Sequence, residues 1–359
     1  NNGGIAIRLV NCARLISGRL PGSLAQTNIV ANMLFGAISG SGTAAAAAIG
    51  GTMAPIELEE GYDKDYVAAV NIASAPTGQL IPPSNTLIVY ATVAGSVSVA
   101  ALFMAGYIPG IAWGISLMFI AGYMAKKRGY VSTFSVTPKE ALKVLWDALP
   151  SLLLIIIVIG GILKGVFTAT EGSAIAVVYA LILSLCYRSL KIKDLPSIIL
   201  SSCKTTCIVI FMIGVSSIMS WVMAYTMIPT AIANAMLSLS SNKYVILLLM
   251  NVILLVVGTF MDPTPAVLIF TPIFLPICQS FGMDPVQFGI MIVFNLCIGT
   301  ITPPVGVILF TGCKVVGISI EGVIKTLLPF FAAIAVVLLL VTYVPAMSMW
   351  IPSMLGLVK

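Results

Sequence analysis

The chain has 359 residues, of which 59% are hydrophobic and only 8% charged, with a mean hydropathy of +1.11 and a formal net charge of +6. Soluble domains carry about 25% charged residues, so a soluble globular fold is excluded, and recurring apolar runs near the ~20 residues that cross a bilayer core predict an all-α polytopic membrane protein surrounded by lipid. There is no histidine, which removes the commonest metal ligand and general base together, and no phosphate-loop motif; neither an enzyme site, nor ATP hydrolysis, nor nucleic-acid binding is expected.

In chain order, residues 1–20, with Arg8, Arg14 and Arg19 among apolar positions, predict an amphipathic interfacial arm. The chain begins at Asn1 without a methionine, so earlier segments are expected. A helix is predicted over 22–38, a small-residue tip SGSGTA at 39–44, and a second short helix over 44–57. A span follows that is interrupted at GQLIPPSN, residues 78–85. The stretches 97–125, 140–165, 171–187 and 197–225 read as ordinary spans, and 228–239 as a short interfacial helix. Helices are predicted again over 244–260 and 265–280, around a tip MDPTPA at 261–266. A span broken at GTITPPVG, residues 299–306, and a final span over 322–344 complete the chain. The cysteines Cys12, Cys186, Cys203, Cys207, Cys278, Cys297 and Cys313 have no metal-like spacing and are expected to be free, buried thiols.

The two halves repeat. A shift of 221 residues superposes Thr43 on Thr264, Pro55 on Pro276, Gly61 on Gly282, Asp63 on Asp284, Gly78 on Gly299, Pro82–Pro83 on Pro303–Pro304 and Ser98 on Ser319. The matched residues are those that shape backbone rather than those that merely fill a membrane. Each repeat reads as a re-entrant hairpin of two short limbs around a polar tip, followed by a broken helix. Basic residues prefer the cytoplasmic side. With Lys126, Lys127 and Arg128 placed there, only Lys164, Lys243 and Lys359 of the 18 basic residues fall on the other side. This topology inverts one repeat relative to the other, the pattern of secondary transporters. It divides the chain into transport cores at 21–96 and 243–317 and scaffold at 97–242 and 318–359.

The proline pairs give the breaks a chemistry. Proline lacks an N–H and clashes with the carbonyl four residues back, so Pro82 and Pro83 release the carbonyls of Gly78 and Gln79, and Pro303 and Pro304 those of Gly299 and Thr300. Such backbone at membrane depth is tolerated only where it lines protein or a water-filled cavity. Hard cations such as sodium accept these oxygens. Facing the breaks, Ser39, Gly40, Ser41, Ser84 and Asn85 would complete a site in the first repeat, and Asp262, Thr264 and Thr302 one in the second. Asp262 is the only carboxylate this topology sets deep in the membrane, a functional candidate by default; an Asp followed by proline is equally a helix start. The small residues at 39–43 are in turn open to a packing role. Glu171, after Thr168, is expected only to start a helix.

Together FGAISGSGTAAAAAIGG, EEGYDKDYVAAV, GQLIPPSN, GTFMDPTPAVLIFTPIFLP and IGTITPPVGVILF resemble the large membrane subunit of tripartite ATP-independent periplasmic (TRAP) transporters along essentially the whole chain. The resemblance implies an elevator-type transport domain moving against a scaffold in the bacterial inner membrane. It implies sodium-coupled uptake of an organic acid, such as sialic acid, a dicarboxylate or a related sugar or keto acid. The acid would be delivered by a periplasmic substrate-binding protein, and a small four-helix membrane subunit, separate or fused, would complete the machine. Two repeat-related sites then imply at least two sodium ions per substrate. With no Arg or Lys near the midplane, the anion is expected between the tips near Ser41, Thr43, Ser84, Asn85 and Thr302. The competing readings are a stand-alone sodium/divalent-anion symporter of similar hairpin architecture, which would need no binding protein, and a membrane scaffold or channel, which would show no sodium dependence.

Overall fold

A computed structural model describes residues 5–95, 97–130, 137–187, 189–227, 231–232, 235 and 242–358, and among these every regular element is helical. Helix α1 (Ile5–Ser17) leads into a helical hairpin of α2 (Ser23–Ser39) and α3 (Gly42–Glu59). The first broken helix follows as α4 (Lys64–Ser74), a 3-10 turn (Ala75–Gln79) and α5 (Asn85–Ala94). Helices α6 (Val99–Arg128), α7 (Pro138–Leu163), α8 (Ala169–Cys186) and α9 (Leu195–Tyr225) connect the repeats. The second repeat has a hairpin of α10 (Lys243–Gly258) and α11 (Pro263–Ser280), then a broken helix of α12 (Pro285–Gly299) and α13 (Val307–Val316). Helices α14 (Ile320–Tyr343) and α15 (Ala346–Met354) end the chain. The interfacial helix expected over 228–239 falls largely outside the described residues.

Among the described residues, six helical stretches are long and apolar enough to cross a membrane: α6, Lys139–Leu163, α8, Ile192–Val215, α11 and α14. Bulky apolar side chains stand uncovered on several of them, among them Phe119, Ile156 and Phe211, as a lipid-facing surface requires. The hairpin limbs are less distinct than the sequence implies. Helix α11, at 18 residues, is itself among the six, so length does not separate limb from span.

The repeat is drawn in the caps. Asp63 and Asp284 stand at the N-caps of α4 and α12 with the same backbone angles, φ −67° and ψ 139°. Ser98 and Ser319 cap α6 and α14, each accepting a backbone N–H three residues on. Both Pro–Pro bonds are cis. In each repeat the first limb meets the end of the broken helix through bare backbone: a Cβ on Gly36 would lie 2.2 Å from the Cα of Gly78, and one on Gly299 2.3 Å from the carbonyl carbon of Gly258.

The halves exchange partners. Helix α5 of the first repeat packs against limb α11 of the second, and α13 of the second against limb α3 of the first. Helices α6 and α14, assigned from sequence to the scaffold stretches 97–242 and 318–359, pack against each other, and both against α4 and α12. The Trp113 indole of α6 donates to the Ala73 carbonyl at 3.0 Å, just before the break. At the far end of α6, Arg128 binds Asp63 at 2.8 Å and Asp65 at 2.7 Å, and the Thr326 hydroxyl of α14 donates to Asp65. By packing, α6 and α14 belong with the repeats, because the broken helices bury their apolar faces on them. Helix α7 instead packs on α1 and α8, and α9 on α11.

Candidate functional site

The first tip forms because α2 ends on Gly40 in the left-handed region (φ 60°), its N–H bonding the Gly36 carbonyl at 2.8 Å. Ser41 then caps α3, its hydroxyl accepting the Ala44 N–H at 3.3 Å and lying 3.1 Å from the Thr43 hydroxyl. A side chain at Gly40 would press on the Pro83 carbonyl, and one at Gly42 on Ile308 and Gln79. The tip is therefore seated against the break of its own repeat and against α13 of the other.

At the second tip Asp262 occupies the N-cap position of α11, with Pro263 at the first helical position. Its side chain makes no capping hydrogen bond, unlike its repeat partner Ser41, and it is exposed to the cavity described below. The carboxylate is thus left for something other than the helix start.

Three of the four released carbonyls, those of Gln79, Gly299 and Thr300, are paired, where the sequence reading expects them unpaired. The Ser84 hydroxyl donates to the Gln79 carbonyl while accepting the Leu87 N–H at 3.3 Å. The Gly299 carbonyl accepts from Thr302 N–H at 3.0 Å, and that of Thr300 from Ile308 N–H at 3.0 Å and Leu309 N–H at 3.3 Å. The donors to Gln79 and Thr300 come from the chain after the proline pair and the donor to Gly299 from Thr302 just before it, as buried backbone demands. The Gln79 and Gly299 carbonyls each keep a second lone pair, whereas that of Thr300 accepts two N–H groups.

Between these elements lies a cavity of about 460 Å³. Of the residues nominated from sequence it gathers Gly40, Ser41, Thr43, Gln79, Asn85, Asp262, Thr264 and Thr300. Ser39, Gly78, Ser84, Gly299 and Thr302 do not line it; Ser84 is fully buried behind the first break, and the Thr302 hydroxyl donates to the Ile298 carbonyl at 2.7 Å. No Lys or Arg lines the cavity. Positive field comes instead from the N-termini of α3, α5, α11 and α13, whose first turns contribute Thr43, Asn85, Thr264 and Val307 to the wall.

Several polar residues here were not foreseen. Thr86 lines the cavity, and so do Thr205, Thr206 and Ile210 of α9. The signal for the threonines was the polar run SSCKTTC, residues 201–207, in an otherwise apolar span. A second carboxylate was not foreseen as buried: Glu57, near the end of α3, is fully buried. All seven cysteines are free, but Cys186, Cys203 and Cys207 are exposed rather than buried.

The family model of the tripartite ATP-independent periplasmic transporter, DctM component, matches residues 1–347. The chain belongs to this family. YgiK of Salmonella typhimurium is 54% identical over 354 residues, covering 99% of this chain and 81% of that protein. The isethionate TRAP transporter permease protein DctMQ of Oleidesulfovibrio alaskensis is 41% identical over 350 residues, 97% of this chain but 55% of that longer protein. The C4-dicarboxylate TRAP transporter large permease protein DctM of Pseudomonas aeruginosa is 37% identical over 356 residues, 99% of this chain and 83% of that one. TRAP large permeases are multi-pass membrane transporters, not enzymes, and the caps, proline pairs and tips described above are this chain's version of that architecture.

Proposed function

We propose that this TRAP large permease takes up a small organic acid by sodium symport in a bacterial inner membrane. The acid is handed over by a periplasmic binding protein, and a small membrane subunit completes the permease. The carrying observation is the cavity itself: both hairpin tips, both breaks and four helix N-termini converge on it, with one carboxylate and no basic side chain. An anion in such a place is held by hydroxyls, amides and bound cations. Sodium at the tips, one ion at each break and Asp262 serving the second, supplies the missing positive charge, so anion binding depends on sodium. The substrates in the relatives' names, isethionate and C4-dicarboxylates, agree in being small organic anions.

In this reading the hairpins re-enter from opposite faces, the repeats are inverted, and the moving body comprises α2–α6 and α10–α15. Helices α1 and α7–α9 form the stationary side, so the α9 threonines face the cavity across the sliding boundary. This revises the partition at 97–242 and 318–359 by moving α6 and α14 into the elevator. With two or more sodium ions per acid, net positive charge enters, and an inward-negative potential drives uptake by about 2.3 kcal/mol per net charge per 100 mV. The test is uptake of labelled acid into proteoliposomes with the cognate binding protein added. Uptake should need sodium and binding protein together and should rise with inward-negative potential. Uptake without the binding protein would favour a stand-alone symporter, and indifference to potential would remove the stoichiometry.

A further inference from the structure

Glu57 lies far from the tips and has no role in the site above. It is 0% exposed. Among the described residues it has no ion-pair partner, and its carboxylate accepts only the Asn28 amide, at 3.3 and 3.4 Å. A carboxylate in this setting is costly without a compensating positive charge.

The neighbouring amides show where that charge can sit. Asn28 Oδ1 at 2.8 Å, Ser74 Oγ at 2.9 Å and Asn71 Oδ1 at 3.2 Å all converge on the single amide nitrogen of Asn32. An amide nitrogen carries two hydrogens, so one of the three acceptors is in surplus. All three side chains are held by donations elsewhere: Asn28 Nδ2 to Glu57, Asn71 Nδ2 to the Ala46 carbonyl at 3.0 Å, and the Ser74 hydroxyl to the Val70 carbonyl at 2.7 Å. Asn32 is itself 0% exposed, and its Oδ1 has no hydrogen-bond partner. A half-turn of the Asn32 amide exchanges its two ends and sets that orphan oxygen among the other three. Gly50 keeps the arrangement open, since a Cβ there would lie 2.2 Å from Asn71 Nδ2.

We infer that Asn28, Asn32, Asn71 and Ser74 form a buried sodium site at the root of hairpin 1, with Glu57 as its counter-charge. Four neutral oxygens suit a hard cation, and one carboxylate balances a single positive charge. The site is separate from the tips: Asn32 precedes Gly40 by eight residues, about 12 Å of helix. It belongs to one repeat only, because the position related to Glu57 is Cys278, whose thiol meets the Met250 sulfur at 3.6 Å. It ties both limbs of hairpin 1 to α4, so its occupancy acts on the hairpin's root while the tip ions act on its end.

The inference rests on the sodium reading of the family chemistry, and the experiment separates the two. The intact protein is crystallised with thallium(I) as an electron-rich stand-in for sodium. An anomalous peak among the four oxygens is expected. Peaks at the tips with none at this cluster overturn the root site alone, and no peak anywhere also overturns the tip sites. In detergent, Glu57→Gln should bind one fewer 22Na+ per protein at saturation than the unaltered chain. An unchanged number overturns the proposal; should that variant fail to fold, the thallium map of the unaltered protein decides.

Discussion

The two repeats share a frame and differ in what they put on it. Aspartates stand at the N-caps of α4 and α12 with the same backbone angles, serines cap α6 and α14, and cis proline pairs break both long helices. The chemistry has diverged at related positions. Ser41 caps its helix at the first tip, where Asp262 at the second leaves its helix uncapped. After the breaks, Ser84 and Asn85 correspond to Val305 and Gly306, and Gly306 has a positive φ of 38°. At the hairpin roots a buried Glu57 corresponds to a buried Cys278. Backbone-shaping residues answer to steric demands common to both halves, whereas the polar residues at the tips and breaks differ between them.

The largest effect expected from probing this comparison is steric. A methyl on Gly36 would meet the Gly78 Cα at 2.2 Å, whereas one on Gly258 would meet the Gly299 Cα at 3.1 Å. Overpacking costs about 1–3 kcal/mol or more when backbone must move. Gly36→Ala should therefore lower the yield of folded protein and the unfolding midpoint well below those of Gly258→Ala, and equal midpoints would mean that the repeats are equally tight.

Next in size is the break itself. Ser84→Ala combined with Asn85→Ala removes the donor to the Gln79 carbonyl and a cavity amide, and uptake should fall by about tenfold or more, roughly 1.4 kcal/mol. Val305→Ala, its counterpart in the second repeat, should leave uptake within about twofold. Lys126→Ala serves as the cytoplasmic control, because Arg128 is engaged with Asp63 and Asp65. Comparable losses in all three would erase the distinction between the breaks.

A smaller shift is expected at the tip. Asp262→Asn keeps an oxygen and removes the charge, so the sodium concentration for half-maximal uptake should rise severalfold while the protein purifies normally, a change of about 1 kcal/mol for a hydrogen-bonding group turned neutral. Sodium dependence identical to the parent would return Asp262 to a helix-starting role. The smallest effect belongs to α9: Thr205→Val with Thr206→Val should raise the KM for the acid by about two- to fivefold, the range of one or two net hydrogen bonds. An unaltered KM would make those hydroxyls mere wall.

The frame was legible because it is written in residues with few alternative uses. Paired prolines, Gly61 and Gly282, and Asp63 and Asp284 recur at one offset, and the spans near 97–125 and 322–344 appear within a few residues of Val99–Arg128 and Ile320–Tyr343. The tips and breaks could be nominated for the same reason. Partnership could not be read this way. Periodicity does not say that α6 buries itself on α4 and α12. Nor does it say that donors flanking the prolines turn onto Gln79, Gly299 and Thr300. Glu57 escaped notice because it ends the helix predicted over 44–57, two residues before the acidic pair Glu59 and Glu60; the packing of α1, α2 and α4 on α3 is not written in that stretch.

The glycine contacts have a mechanical consequence. Side chains at a helix crossing are compliant spacers that absorb small displacements by changing rotamer. Where Gly36 meets Gly78, and Gly258 meets Gly299, bare backbones touch and nothing between them can yield. Hairpin and break are thus coupled like the two arms of a lever without play. A shift of a few tenths of an ångström at a tip is delivered undamped to the backbone at the break, and, in the proposed reading, ions on opposite sides of that joint would sense one another through geometry as well as charge.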